Sequence, residues 1–193
     1  MEIITVGNVK SSIEDNSFLF QQPWFYNNKL SLRCELGIGN GAEYNENAIN
    51  RALEIFNILF KDDIIDCVFL DEYTNEDDLI DINEFFTFDN TLDLDITYND
   101  NELYENVSSI KRHFVYDVDK SKIEKIIKHQ ILNASNIYHC VSFKNNFIFS
   151  IYDDRGCDIV FFDDGKYKEF YHRLEKYFLD YDRELMKKRF NNI

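Results

Sequence analysis

The strongest constraint on the fold comes from residues 137–162, where three apolar runs are separated by two turn signals. Asn145-Asn146 can adopt the positive φ angles of a tight hairpin turn. Asp153-Asp154-Arg155-Gly156 is typical of a second turn. Strands joined by such short turns pair antiparallel. These residues therefore predict an antiparallel β-meander with strands over 137–143, 147–152 and 159–162.

Further strands are predicted before this meander. Leu30, Leu32, Cys34 and Leu36 alternate with polar residues, which indicates a half-buried strand over 29–36. The run over 92–96 alternates leucine and isoleucine with aspartate, as an exposed or edge strand does. Two more strands are predicted over 64–70 and 112–118.

Apolar residues at helical spacing predict three helices. Asn45 is the expected N-cap of a helix that ends near residue 60. Asp119 or Ser121 begins a second helix that ends near residue 134. The third is expected to run without interruption from Asp164 to Phe190, with an unusually aromatic apolar stripe.

These elements predict an α+β fold, namely a mainly antiparallel sheet with helices packed on one face, ending in a long C-terminal helix. The length of 193 residues favours a single domain over 1–193, with an N-terminal arm at 1–29 and an acidic insertion at 71–109. The chain has no apolar run of about eighteen residues and no signal-peptide pattern at its start, so a cytoplasmic location is expected.

Charge is unevenly distributed along the chain. Residues 62–105 hold sixteen Asp and Glu and no Lys or Arg, whereas the rest holds 20 acids and 21 bases. The net charge of −15 argues against binding to nucleic acid or to an anionic membrane. The acidic segment is either a solvated region that aids solubility or a surface that docks a basic protein partner. Its representative binding residues are Asp71, Glu72, Asp77 and Asp78.

Cysteine spacing and the glycine-rich loop indicate neither a metal nor a cofactor. Cys34, Cys67, Cys140 and Cys157 lie at least seventeen residues apart, without the close pairs of a structural zinc site, and are expected to be reduced and apolar. The loop over 37–41 has a glycine spacing that dinucleotide-binding loops also use. Two glutamates soon after it would repel phosphate, which favours a plain connection.

The second turn of the meander is the main candidate for chemistry. Asp153, Asp154, Arg155 and Asp158 crowd a short stretch. In the structural interpretation an aspartate accepts backbone N–H groups, Arg155 pairs with a carboxylate, and Gly156 takes a positive φ angle. In the catalytic interpretation the same groups form an acid–base or metal-dependent site. Partners for that site would come from elsewhere in the chain, namely Arg33, Glu35, Asp180, Asp182 and Arg183.

Three stretches together resemble a bacterial family, domain of unknown function 3885. They are Arg33-Cys34-Glu35-Leu36-Gly37, Ile151-Tyr152-Asp153-Asp154-Arg155-Gly156-Cys157-Asp158 and Leu179-Asp180-Tyr181-Asp182-Arg183, and Pro23-Trp24-Phe25-Tyr26 fits the same pattern. The resemblance covers about residues 20–190. It implies no established activity, but it gives weight to the charged residues of these stretches. Cys34 and Tyr177-Phe178 depart from the family pattern as packing substitutions.

Three functions remain open. The preferred hypothesis is a binding protein of the immunity or antitoxin type, which neutralises a basic partner with its acidic surface. The second is an enzyme that uses the Asp153–Asp158 stretch, and the third is a regulatory module that self-associates through its aromatic residues. The sequence does not fix the oligomeric state. Arg155→Ala is expected to cost stability by leaving a carboxylate unpaired.

Overall fold

The structure is a computed structural model that describes residues 24–41, 43–61, 67–73, 91–96, 110–116, 120–134, 138–142 and 145–193. In residues 67, 69–73, 91–96, 110–116 and 120 it describes the backbone only. The predicted arm is therefore described only from Trp24 onward, and residues 74–90 and 97–109 of the predicted acidic insertion lie outside the described residues.

The strands in the described residues form a single seven-stranded sheet in the order β1-β7-β6-β5-β2-β4-β3. All neighbouring pairs run antiparallel. The strands are β1 Ser31–Glu35, β2 Cys67–Tyr73, β3 Thr91–Ile96, β4 Ile110–Tyr116, β5 Tyr138–Ser142, β6 Phe147–Asp153 and β7 Gly156–Phe161. The predicted meander is confirmed as β5, β6 and β7, and Asn146 has the positive φ of 56° that its tight turn requires.

Five α-helices accompany this sheet in the described part of the chain, so the predicted α+β fold is confirmed. They are α1 Trp24–Asn27, α2 Glu43–Leu59, α3 Lys120–Asn133, α4 Asp164–Leu174 and α5 Arg183–Asn191. α2, α3 and α4 bury one face of the sheet in an aromatic core, where Phe56 of α2 meets Phe149 and Phe170 of α4 meets Phe161. α1 lies against the opposite face, where Trp24 packs on the ring of His139.

The prediction that Asn45 caps α2 is wrong. The helix begins at Glu43, so Asn45 lies in its first turn. Glu43 and Glu46 also lie in that turn, where negative side chains interact favourably with the positive end of the helix dipole.

The predicted continuous helix from Asp164 to Phe190 is interrupted. After α4 the chain forms a 3-10 turn at Glu175–Tyr177, becomes extended at Phe178 and forms a second 3-10 turn at Asp180–Asp182 before α5. Phe178 leaves the helix because its backbone bridges Cys34 of β1. The next N–H, of Leu179, donates to the carbonyl of Arg33 at 3.0 Å. This segment covers the outer edge of β1, which would otherwise expose unpaired backbone groups.

The segment predicted as an acidic insertion contributes to the sheet. β2 extends into it as far as Tyr73, three residues beyond the predicted strand end. β3 lies wholly within it and forms the end of the described sheet, which confirms the predicted edge strand. A strand of this segment is therefore part of the fold and not an appendage to it.

Candidate functional site

The face of the sheet that α1 covers carries a buried ion pair between neighbouring strands. Arg33 on β1 lies directly opposite Asp158 on β7. The guanidinium donates twice to that carboxylate, from Nε to Oδ1 at 2.7 Å and from Nη2 to Oδ2 at 2.9 Å. The backbone N–H of Phe25 adds a third hydrogen bond to Asp158 Oδ2 at 3.2 Å. The pair is therefore bidentate, and it also ties α1 to the sheet.

A second carboxylate approaches the same guanidinium from the C-terminal segment. Asp182 Oδ2 lies 3.7 Å from Arg33 Nη1. The hydroxyl of Tyr26 donates a long hydrogen bond of 3.5 Å to Asp182 Oδ1. Both carboxylates are almost fully buried, and only 13% of the Arg33 side chain is exposed. One buried positive charge thus faces two carboxylates.

Aromatic rings complete the surroundings of Arg33. Its guanidinium carbon lies 4.8 Å from the ring centre of Phe25, 4.7 Å from that of Tyr26 and 5.0 Å from that of Tyr152. Such contacts add cation–π attraction to the ion pair. We call Arg33, Asp158, Asp182, Tyr26 and Tyr152 the arginine cluster.

The electrostatics of the cluster keep Arg33 charged. Burial disfavours the guanidinium charge, but the hydrogen bonds and negative charge of Asp158 raise the pKa of Arg33 above its usual value. Burial raises the pKa of the Tyr152 hydroxyl, so this hydroxyl stays protonated at neutral pH. At Asp158, burial raises the pKa and the bonds from Arg33 oppose that shift.

Arg33 and Asp158 begin a row of polar side chains that continues across the sheet. Its next two members are residues that sequence reasoning missed. Ser150 on β6 lies opposite Asp158, and His139 on β5 lies opposite Ser150. His139 Nδ1 and Ser150 Oγ are 2.8 Å apart. A serine beside a histidine can act as nucleophile and base, but both residues are fully buried, so no substrate reaches them. The sequence did carry a signal for these two residues. Each is a polar residue between apolar neighbours on its strand, a pattern that indicates a buried polar network.

The turn of the meander is a local and exposed structure. Asp153 accepts the backbone N–H of Arg155 at 2.8 Å and its Nε at 2.8 Å, and Arg155 Nη2 contacts the same carboxylate. The Arg155 side chain is 74% exposed. Asp158, by contrast, turns to Arg33, so the four residues predicted as catalytic do not converge on one site. The turn has the features of the structural interpretation.

Gly156 is required for a reason other than the predicted one. Among the described glycines a positive φ occurs at Gly39 and Gly41, so the positive φ predicted for Gly156 is wrong. A Cβ on Gly156 would collide with the hydroxyl end of Tyr152 and lie 2.7 Å from the carbonyl oxygen of Cys34. Close approach of the strands therefore demands glycine here.

The other residues predicted for the site either lie apart from the arginine cluster or fall outside the described residues. Arg183 Nε pairs with the exposed carboxylate of Asp180 at 2.9 Å, and its two Nη atoms donate to the carbonyls of Glu175 and Phe178. Arg183 thus holds the interrupted C-terminal segment together. Glu35 ends β1 opposite Gly156 and takes no part in the Arg33 ion pairs. Asp77 and Asp78 lie outside the described residues.

Acidic residues on β2 and β3 flank the basic residues of β4. Asp71 lies opposite Arg112, and Glu72 lies opposite Lys111. From the other side, Asp95 also lies opposite Lys111, and Asp93 lies opposite His113. Four of the sixteen acids of residues 62–105 therefore have a position within the sheet, and the other twelve lie outside the described residues.

Comparison with known proteins gives one match. The model of a protein family described as "Domain of unknown function (DUF3885)" matches residues 9–182. No curated protein and no solved structure matches the chain significantly. In the described part of the chain, no three His, Cys, Asp or Glu side chains come together as metal ligands. None of the described helices is long and apolar enough to cross a membrane.

Proposed function

This chain belongs to the DUF3885 family, and on that premise we propose that it is a binding protein of the immunity or antitoxin type, whose acidic surface takes a basic protein partner. The family description assigns no function, so the proposal depends on this chain's own residues.

The observation that carries the proposal is the separation of charge. Residues 62–105 account for essentially the whole net charge of −15. Only four of their acids lie on β2 and β3, opposite the bases of β4. The other twelve belong to the stretches next to these strands, which contain no Lys or Arg. A negative charge of this size, concentrated in one segment of the chain, attracts a basic partner and speeds its association.

The arrangement of the predicted catalytic residues favours binding over catalysis. Arg155 pairs with Asp153 inside the turn, and Asp158 is saturated by Arg33 and the N–H of Phe25. General acid–base catalysis needs a group that can reach a substrate and exchange a proton. Asp158 is buried and paired, and Arg155 keeps its proton, so neither supplies such a group.

The test compares two variants that change the net charge by the same amount. One carries Asp77→Asn, Asp78→Asn, Glu84→Gln and Asp89→Asn in the acidic segment. The control carries Glu43→Gln, Glu46→Gln, Glu124→Gln and Glu175→Gln at exposed positions elsewhere. Each is used to capture proteins from host lysate at low and high salt, and bound proteins are identified by mass spectrometry.

We expect the unmodified chain and the control to retain the same basic protein at low salt and to release it at high salt. The segment variant should lose it. Equal retention by both variants would contradict the proposal, as would capture of no basic protein by the unmodified chain.

A further inference from the structure

Two of the four cysteines lie directly opposite each other on neighbouring strands of the sheet. Cys34 on β1 is in register with Cys157 on β7, although the two residues are far apart in the chain. Both thiols are free and fully buried, and both belong to the aromatic core. The fold therefore brings together two thiols that the sequence spacing keeps apart.

The two strands come close enough at this point for a disulfide bond. Directly opposite residues of an antiparallel pair have Cα atoms about 4.5 or 5.5 Å apart, and a disulfide joins Cα atoms about 4.4–6.8 Å apart. The thiols of Cys34 and Cys157 are already hydrogen-bonded to each other. The neighbouring residue shows the close approach independently, since a Cβ on Gly156 would lie 2.7 Å from the carbonyl oxygen of Cys34. The two sulfur atoms can thus be joined with little movement of the backbone.

The other two cysteines have different cross-strand neighbours. Cys140 on β5 lies opposite Val68 and Phe149. Cys67 on β2 lies opposite Val141 on one side and an aromatic residue of β4 on the other. An oxidation that depends on proximity should therefore involve the pair on β1 and β7 and leave Cys67 and Cys140 as thiols.

Burial limits how readily the pair reacts. It raises the pKa of the Cys157 thiol, and the hydrogen bond with Cys34 raises this pKa further, so little thiolate is present at neutral pH. The positive charge of Arg51 on α2 acts in the opposite direction. Access is expected through local opening of β1, because this strand ends the described sheet and a short segment at Phe178 covers its outer edge. Such a site favours a small uncharged oxidant over a bulky one.

We propose that Cys34 and Cys157 are an oxidation site, at which hydrogen peroxide produces a disulfide that joins β1 to β7. One thiol attacks a peroxide oxygen, so that an S–O bond forms, the O–O bond breaks, and a sulfenic acid and one water result. The second thiol attacks the sulfenic sulfur, so that the S–S bond forms, the S–O bond breaks and a second water leaves. Two thiols are oxidised and one peroxide is reduced to two waters. Disulfides of this kind in a reducing compartment are typically transient and redox-sensing.

The disulfide acts next to the arginine cluster. Arg33 and Asp158 are the chain neighbours of Cys34 and Cys157, and they lie opposite each other in the same register. The cross-link holds the two strands in the register in which this buried ion pair forms. It also closes a long loop of the unfolded chain and so lowers the entropy of the unfolded state. We therefore expect oxidation to raise the Tm by about 5 °C or more.

The test treats the full chain with hydrogen peroxide at neutral pH and then blocks the remaining thiols with iodoacetamide in denaturant. Tryptic peptides are analysed by mass spectrometry without reduction. We expect two peptides joined through Cys34 and Cys157, with two hydrogen atoms fewer than their sum, which dithiothreitol separates. Cys67 and Cys140 should carry the iodoacetamide label. The matched control is Cys140→Ala, which removes another buried cysteine of the sheet and should form the same link.

Cys157→Ala should form no link within the chain, and peroxide should not raise its Tm. The peptide map of the unmodified chain decides the inference even if this variant fails to fold. Three results with the unmodified chain would overturn it. They are Cys34 and Cys157 that stay thiols or become sulfinic acids, a link from either of them to Cys67 or Cys140, and an oxidised form whose Tm is no higher than that of the reduced form.

Discussion

Among the arginine–aspartate pairs in the motif segments of this chain, Arg33–Asp158 and Arg155–Asp153 differ in almost every physical respect. Arg33 and Asp158 are 125 residues apart, buried and joined across two strands. Arg155 and Asp153 are two residues apart, and their arginine is exposed to solvent. The first pair joins α1, the sheet and, through Asp182, the C-terminal segment. The second closes one turn. Two ion pairs of the same residue types are therefore expected to contribute very different amounts to stability, because they differ in burial and in the elements that they connect.

The largest expected effect is at the buried pair. Arg33→Met leaves the charges of Asp158 and Asp182 without their cation, which should lower the free energy of unfolding by about 3–5 kcal/mol in urea titrations at neutral pH. The double variant Arg33→Met with Asp158→Asn removes one of these charges while keeping an acceptor for Phe25 N–H. It should recover part of the loss. Additive losses in the double variant would show that the pair is not the source of the effect.

The next largest effect is expected at Gly156, which follows the exposed turn and begins β7, the strand that carries Asp158. Gly156→Ala should cost about 1–3 kcal/mol, because the new methyl group meets Tyr152 and the carbonyl of Cys34. Thermal unfolding monitored by circular dichroism measures the loss. Adding Tyr152→Phe removes the nearest atom and should restore part of the stability. If that second change gives no recovery, contact with the Tyr152 hydroxyl is not the cause.

A smaller, pH-dependent effect is expected at Asp163, an aspartate whose main partners are backbone groups. It caps α4 by accepting the N–H of Lys166 at 2.9 Å, and it also accepts Asn146 Nδ2 at 3.0 Å. Burial opposes its charge, but these hydrogen bonds lower the pKa of Asp163 below the usual 3.8. Its stabilising contribution is therefore present above pH 3.8 and is lost as the pH falls through the lower value in the folded state.

Asp163→Ala should cost about 1 kcal/mol near neutral pH, and this cost should shrink below pH 3.8. Asp163→Asn preserves the cap and is the matched control, so its stability should depend less steeply on acid than that of the unmodified chain. Urea unfolding between pH 2.5 and pH 6 measures both. If the cost of Asp163→Ala does not change with pH, the stabilising contribution of Asp163 does not depend on its ionisation, and the prediction is wrong.

The smallest effect is expected at the exposed pair. Arg155→Ala should change the free energy of unfolding by no more than about 0.5 kcal/mol, because exposed ion pairs contribute little and Asp153 keeps the backbone N–H of Arg155. The sequence alone predicts that Arg155→Ala costs stability, and the exposure of Arg155 makes the expected cost small. Chemical denaturation of Arg155→Ala beside Arg33→Met tests the comparison directly. A large loss in the Arg155 variant would show that burial does not separate the two pairs.

The motif segments contained part of the candidate site but did not indicate its arrangement. They contain Arg33, Asp158 and Asp182, which the structure brings together, and also Arg155, which belongs to the turn alone. Tyr26 belongs to the stretch Pro23-Trp24-Phe25-Tyr26 of the family resemblance, whereas no motif of the sequence contains Ser150 or His139. The local signal of Ser150 and His139, a polar residue between apolar neighbours, does not tell which residues meet, because that depends on which strands lie next to each other.

The sequence by itself determined the β-meander, the helix-forming stretches, the edge strand over 92–96 and the concentration of acid in residues 62–105. Those features depend on period, turn chemistry and charge, which act between residues close in the chain. Only the tertiary structure decided that Phe178 interrupts the last helix to cover β1, and that Arg33 meets Asp158 and Asp182. Both outcomes depend on strand order and register, which place residues more than a hundred positions apart within bonding distance and remove them from water.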